Sequence, residues 1–271
     1  KDIIDRITYA KRIQDQILPS GEMFTKQLAQ TFVLFRPKDI VSGDFYWLAQ
    51  KNNKSLFAAV DCTGHGVPGA FMSIVGYNLL DKIVGEYGTT EPDKILNELN
   101  KGVANTLRQE VASDAIKDGM DIALCSFDKE TNVLEYAGAY NPLYIISKNK
   151  LEVMNGETIK PNIIDNNGLM LYEIKADRFP IGYYSEGANS FSKHSFQLSK
   201  GDVIYLFSDG FADQFGGEKG KKFRYKQLKE LLLSINDLSM EEQKIKLETA
   251  LSNWMGDFEQ IDDVIVIGSK L

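Results

Sequence analysis

The chain has 271 residues, of which 43% are hydrophobic, 25% charged and 11% aromatic, a composition of one or two globular domains that excludes disordered, collagenous and low-complexity classes. Its 31 basic against 38 acidic residues leave a net charge of −7, which argues against non-specific nucleic-acid binding as a main function. No apolar run reaches the ~18 residues of a membrane span, and Cys62 and Cys125, the two cysteines, are too few for a disulfide framework and read as buried thiols of a reducing, cytoplasmic compartment.

In chain order, Ile3, Ile7, Ala10, Gln14 and Ile17 recur at alternating spacings of four and three, the seam of a two-stranded coiled coil. Leu18-Pro19-Ser20-Gly21 is expected to stop this helix. Two readings stay open for residues 1–20: a surface helix packed on its own domain, or a linker helix from an upstream sensor domain that pairs as a homodimer. The sequence begins with Lys1 rather than Met, so it is expected to be a piece of a longer protein, with the catalytic domain at 21–271 and any membrane anchor of the parent outside this fragment. Thr31–Phe35, Phe45–Ala49 and Leu56–Val60 are rich in aromatic and β-branched residues and predict strands.

Pro68–Glu86 and Pro92–Val111 predict helices opened by proline, the first with a core stripe of Phe71, Ile74, Val75, Leu79 and Ile83. Ile122–Phe127, Val133–Ala137, Leu143–Ser147 and Leu151–Met154 predict a meander, continued by Leu169–Lys175, Phe191–Leu198 and Val203–Phe207. Helices near Tyr225–Ser234 and Met240–Trp254 precede a closing strand at Val264–Gly268. Strands arriving in hairpins and helices arriving in pairs predict an α+β fold, an α/β/β/α sandwich of two mainly antiparallel sheets.

Four places set an aspartate at a strand end beside glycine or a second aspartate: Gly43-Asp44, Asp61 in Val-Asp-Cys-Thr-Gly-His-Gly, Asp209-Gly210, and Asp262-Asp263. Each alone reads as a turn. Four carboxylates at the rim of a buried sheet, without comparable basic residues beside them, point instead to a shared cation. With His65 and His194 the only histidines, an oxygen-donor site for Mg²⁺ or Mn²⁺ fits better than a zinc site. Two such ions would activate a water and clamp a phosphoryl oxygen, the chemistry of phosphate-ester hydrolysis. Gly216-Gly217-Glu218-Lys219-Gly220-Lys221-Lys222 fails the spacing of a phosphate-binding P-loop and reads as a solvated basic loop, or one that meets an acidic partner.

Together, the segment Arg36-Pro37-Lys38-Asp39-Ile40-Val41-Ser42-Gly43-Asp44-Phe45-Tyr46, the segment Asp61 to Gly66, Phe207-Ser208-Asp209-Gly210 and Asp262-Asp263-Val264 resemble, in order, the motifs of the PPM (type 2C) metal-dependent serine/threonine protein phosphatases, in their bacterial SpoIIE-like branch. The resemblance covers about residue 31 to the end. It implies that Asp61 bridges two Mn²⁺ or Mg²⁺ ions, that Asp209 and Asp262 hold one of them, that Asp44 anchors the site, and that the Cys62 carbonyl is a further ligand. It implies His65 as general acid to the leaving oxygen, with Asp61 and Asp209 completing the catalytic set. Asp118 and Asp121 fall where some members hold a weaker third ion, and Asp263 would sit behind Asp262. Arg36 and Lys38 are the candidates nearest to the family's phosphate-binding arginine. The substrate implied is a phosphorylated regulatory protein, typically a STAS-type anti-sigma-factor antagonist. Two other classes stand beside this one. A phosphatase-like binding module without turnover has no chemical need for the four aspartates. A nucleotide cyclase, to whose loops Val41 to Phe45 is loosely similar, has no role for Asp209 and Asp262.

Overall fold

The computed structural model describes residues 2–28, 30–107, 118–156, 158–182 and 190–271. The chain opens with α1 (Asp2–Ile17) and α2 (Gly21–Gln27), then β1 (Gln30–Arg36), β2 (Phe45–Lys51) and β3 (Lys54–Cys62). A helix pair follows, α3 (Gly66–Gly85) and α4 (Pro92–Thr106), and then β4 (Met120–Asp128), β5 (Val133–Ala139), β6 (Leu143–Ser147), β7 (Glu152–Val153), β8 (Ile163–Ile164), β9 (Met170–Ile174), β10 (His194–Gln197) and β11 (Val203–Phe207). The short α5 (Gly210–Asp213) leads to the hairpin β12 (Phe215–Gly216) and β13 (Lys221–Lys222), then α6 (Arg224–Ser234), α7 (Met240–Met255) and β14 (Val264–Lys270).

The strands form two antiparallel sheets, ordered β1-β14-β11-β6-β9-β8 and β2-β3-β4-β5-β10-β7. Period-two alternation builds three apolar layers from them. In β3, Phe57 and Ala59 face the layer between the sheets, whereas Leu56, Ala58 and Val60 face α3 and α4. In β14, Ile265 and Ile267 point inward, and Val264 and Val266 point to α6 and α7. Central strands buried on both faces read as continuous apolar runs, which is why they were legible as strands. The result is the expected α/β/β/α sandwich. Among the described residues, no helix is long and apolar enough to cross a membrane.

Helix α1 ends at Ile17, at the expected Leu18-Pro19-Ser20-Gly21 stop, and Ser20 also opens the next helix, its hydroxyl accepting from Met23 N to cap α2. Other local expectations are corrected. The buried face of α3 carries Met72, Gly76, Leu80, Ile83 and Val84, while Phe71 is 68% exposed. The expected stripe was offset because glycine contributes nothing to an apolar count. Yet a Cβ at Gly76 would press on Met120 and Phe45, so the helix packs tightly on the sheet there. Helix α4 ends at Thr106, and residues 108–111 of the longer helix expected there lie outside the described residues. Helix α1 turns Gln14 into the domain and leaves Ile3, Ile4, Tyr9 and Ile13 exposed. The buried Gln14 amide donates to Ser42 O at 2.7 Å and to Ser73 Oγ at 3.1 Å, and accepts from Ser42 N at 3.0 Å.

Candidate metal centre

Antiparallel register decides which strand ends meet. In one sheet β2 begins beside the end of β3, with Phe45 opposite Val60, and Asp61 faces Asp121 at the start of β4. In the other sheet the end of β1 and the end of β11 flank the start of β14, with Arg36 opposite Val264 and Phe207 opposite Val266. Asp44, Asp61, Asp121, Asp209, Asp262 and Asp263 therefore emerge at one end of the sandwich, from five separate stretches of chain.

Glycines beside these aspartates close the gap between the stretches. A Cβ at Gly43 would collide with Gly64 O, and one at Gly69 would collide with Gly64 O and Gly43 Cα. The loop before β2, the turn after β3 and the first turn of α3 thus pack backbone on backbone, a contact that any side chain would prevent. Likewise, a Cβ at Gly210 would meet Asp263 O, so the Asp209-Gly210 pair can lie directly against the start of β14.

The carboxylates are crowded and poorly neutralised. Burial, then the charges of Asp263, Asp262 and Asp209, push Asp44 well above the usual carboxylate range, against a hydrogen bond from Ser208. Burial, then Asp44, Asp209, Asp262 and Asp121, push Asp61 well up too. Asp209 is raised by burial and by Asp262, and shares a side-chain hydrogen bond with Asp61. Asp121 is raised to about 7, by burial and by Asp209. Asp262 is raised by burial, with His65 and Lys38 acting in opposition. Two carboxyl groups in hydrogen-bonding contact need a proton or a cation between them. Asp44 Oδ2 is buried and has no hydrogen-bond partner. These two features fit hard, oxygen-seeking divalent cations. Among the described residues, no three such side chains already enclose a common point.

The residues singled out from the sequence distribute as follows. Asp44, Asp61, Asp209 and Asp262 come together, and the thiol of Cys62, buried beside Asp44 and Asp61, is pushed up by burial and by those charges. Of the two aspartates considered for a weaker ion, Asp121 acts on Asp61, whereas Asp118 precedes β4 with its carbonyl near Gly182. Arg36 donates to Ser252 Oγ on α7 at 3.1 Å. Lys38 turns to His65. In the basic loop, Lys222 pairs with Asp213 at 2.7 Å, and its charge opposes the rise at Asp209.

Three residues support this site, one of them expected behind Asp262 and two that sequence reading missed. The first is Asp263, which is fully buried and accepts from Lys38 N and Gly43 N at 2.8 Å each and from Asp44 N at 3.4 Å. It staples the loop before β2 onto β14. Asp263→Ala would leave three backbone donors without that acceptor, and is expected to lower unfolding stability by about 2–4 kcal/mol, measured by denaturant titration. The second is Ser208, whose hydroxyl accepts from Ile265 N at 3.0 Å beside Asp44. The third is Asp39, bound to His65 Nδ1 at 2.6 Å. Ser208 and Asp39 lay inside segments whose neighbours drew attention first.

A family model described as stage II sporulation protein E (SpoIIE) matches residues 51–271. Comparison with curated proteins gives no match. Among solved structures, the chain is similar to the SiaA PP2C domain of Pseudomonas aeruginosa, with 28% identity and a TM-score of 0.83 over 100% of this chain and 97% of that one. It is also similar to the PP2C phosphatase domain and regulatory fragment of SpoIIE from Bacillus subtilis, with 19% identity and a TM-score of 0.65 over 89% of this chain and 63% of that one. RsbX in complex with magnesium shares the fold at 13% identity and a TM-score of 0.55, over 89% and 95% of the two chains.

Proposed function

The chain belongs to the SpoIIE family of PP2C-type serine/threonine phosphatase domains, and from that premise we propose that it hydrolyses phosphoserine or phosphothreonine on a bacterial regulatory protein, in a reaction that depends on Mn²⁺ or Mg²⁺. The observation that carries this reading is the convergence of Asp44, Asp61, Asp209 and Asp262 with too little positive charge to balance them. Asp61 would bridge two ions, Asp209 and Asp262 would hold one, and Asp44 and the Cys62 carbonyl would complete the set, with Asp121 or Asp118 open to a weaker third. Bound there, the cations supply an acidified water and neutralise charge at the phosphoryl group. The magnesium-bound RsbX neighbour supports the choice of a hard cation. His65, half-exposed at the rim, would protonate the leaving oxygen.

The substrate class that suits this family is a phosphorylated STAS-type anti-sigma-factor antagonist. Residues 1–20 would be a linker helix that carries a signal from an upstream sensor. In support, Gln14 ties α1 both to Ser42, two residues before Asp44, and to Ser73 on α3. The exposed Ile3, Ile4, Tyr9 and Ile13 suit pairing with the same helix of a second copy. Gln14→Met keeps the volume and removes these hydrogen bonds. It is expected to raise the Mn²⁺ concentration for half-maximal activity about tenfold, since lost buried hydrogen bonds are worth ~1–3 kcal/mol; an unchanged requirement would detach α1 from the metal site. The direct test of function is phosphate release from a phosphoserine STAS-domain protein with Mn²⁺ and with chelator. No release, combined with no Mn²⁺ binding in calorimetry, would point to a binding module instead.

A further inference from the structure

His65 caps the N-terminus of α3 without a side-chain capping bond, so its ring is free for other partners. It has two. Nδ1 lies 2.6 Å from Asp39 Oδ2, and Nε2 lies 3.1 Å from Lys38 Nζ. A lysine ammonium has donors only, so Nε2 must accept and the ring proton must sit on Nδ1, directed at Asp39. The charged groups facing the ring are Asp39 and Lys38, from the loop after β1, and Asp262, from the loop before β14. That loop is held in place independently, because Asp263 accepts from Lys38 N and Gly43 N.

We propose that Asp39 is a positioning residue that fixes His65 in the Nδ1–H tautomer, and that Lys38 is a reversible cap on the Nε2 that serves the leaving group. This deepens the phosphatase reading and rests on it. When the phosphorus–oxygen bond to the seryl group breaks, its electron pair stays on the seryl oxygen, which then needs a proton. His65 as found has none to give from Nε2. Once Lys38 moves off, Nε2 takes a proton from solvent through its half-exposed face. The Nε2–H bond then breaks, the proton passes to the seryl oxygen, and the ring returns to the neutral form facing Asp39. Throughout, Asp39 keeps the ring from turning and stabilises the transient imidazolium.

The two histidines of the chain make this measurable by nitrogen NMR of the imidazoles in the metal-free protein, with His194, stacked on Tyr136, as internal reference. At about pH 8.5, where a free imidazole is neutral, His65 is expected to show the Nδ1–H form. In Asp39→Ala it is expected to show a mixture of tautomers. In Lys38→Met the tautomer should persist while the Nε2 resonance moves to the value of an unbonded acceptor. A His65 tautomer unchanged in Asp39→Ala, or an Nε2 resonance unchanged in Lys38→Met, overturns the corresponding half of the proposal. A kinetic arm compares a phosphoserine peptide, whose alkoxide needs a proton, with p-nitrophenyl phosphate, whose phenolate does not. Asp39→Ala is expected to lower the ratio of the two turnover rates about tenfold, a fraction of what general acids contribute. An unchanged ratio overturns the positioning role. If the unsubstituted protein cleaves neither substrate, the phosphatase reading fails, and the NMR arm still decides the geometry of the ring.

Discussion

Replacing Asp61 with asparagine is expected to lower Mn²⁺-dependent phosphatase activity at least about a thousandfold, a barrier increase of ~4 kcal/mol. The same substitution in the metal-free protein is expected to raise the melting temperature. The two effects have one cause. Asp61 stands among Asp44, Asp209, Asp262 and Asp121, and all four charges act against its ionisation. A divalent cation would turn that crowd of like charges into a ligand set, whereas without one the crowd only costs stability. An asparagine amide removes one charge and can donate to the neighbouring Asp209 carboxylate. Relief of one like-charge contact is worth ~1–1.5 kcal/mol, or ~2–6 °C for a domain of this size. Asp263→Ala is the contrast, because that carboxylate holds three backbone donors, so its removal should cost stability. Phosphatase assays and thermal melts of both variants check this. Activity surviving in Asp61→Asn would remove Asp61 from the chemistry. A lower metal-free melting temperature would show that the cluster is not repulsive.

How much of this site was legible beforehand depended on the kind of interaction. Strands such as Val203–Phe207 and Leu143–Ser147 have the boundaries expected from the sequence, because burial on both faces makes their apolar runs continuous. The aspartates at strand ends were legible for a related reason: a charged residue directly after such a run has no apolar explanation. Features that depend on backbone geometry were not legible. Gly43, Gly64 and Gly69 matter through the close approach of three main chains, and their residue type alone is equally that of a turn. Gln14 fits a coiled-coil seam by spacing, yet its amide is consumed by Ser42 and Ser73, 28 and 59 residues away along the chain. Phe71 is apolar and helical, but α3 meets the sheet one residue further round, at Met72 and Gly76. Contacts distant in sequence leave no periodicity to read.

Titration of the metal-free protein is expected to show stability falling as pH rises through the neutral range, and added Mn²⁺ is expected to reverse the fall. Asp44, Asp61, Asp209 and Asp262 are raised in the folded state, and Asp121 is raised to about 7. In the unfolded chain these groups lose their protons near the ordinary aspartate value of ~3.9. Between that value and their folded values, the native state binds more protons than the unfolded one, so the slope of stability against pH is negative. The stabilisation from shared protons is complete below about pH 4 and lost by about pH 7–8 for a group such as Asp121. On the proposed reading divalent cations would compete with those protons for the same oxygens, so the stabilising effect of Mn²⁺ is expected to grow as the protons leave. At a hundredfold excess over the dissociation constant a ligand contributes ~2.7 kcal/mol, or ~5–10 °C here. Melts with Mn²⁺ and with chelator at about pH 5 and about pH 7.5 test this. Asp61→Asn serves to separate these carboxyl groups from every other titrating group, because it should flatten the slope in chelator and shrink the Mn²⁺ shift. A slope equal in the two proteins would mean that the protons are bound elsewhere, and the strand ends would then be a crowded rim rather than a cation site.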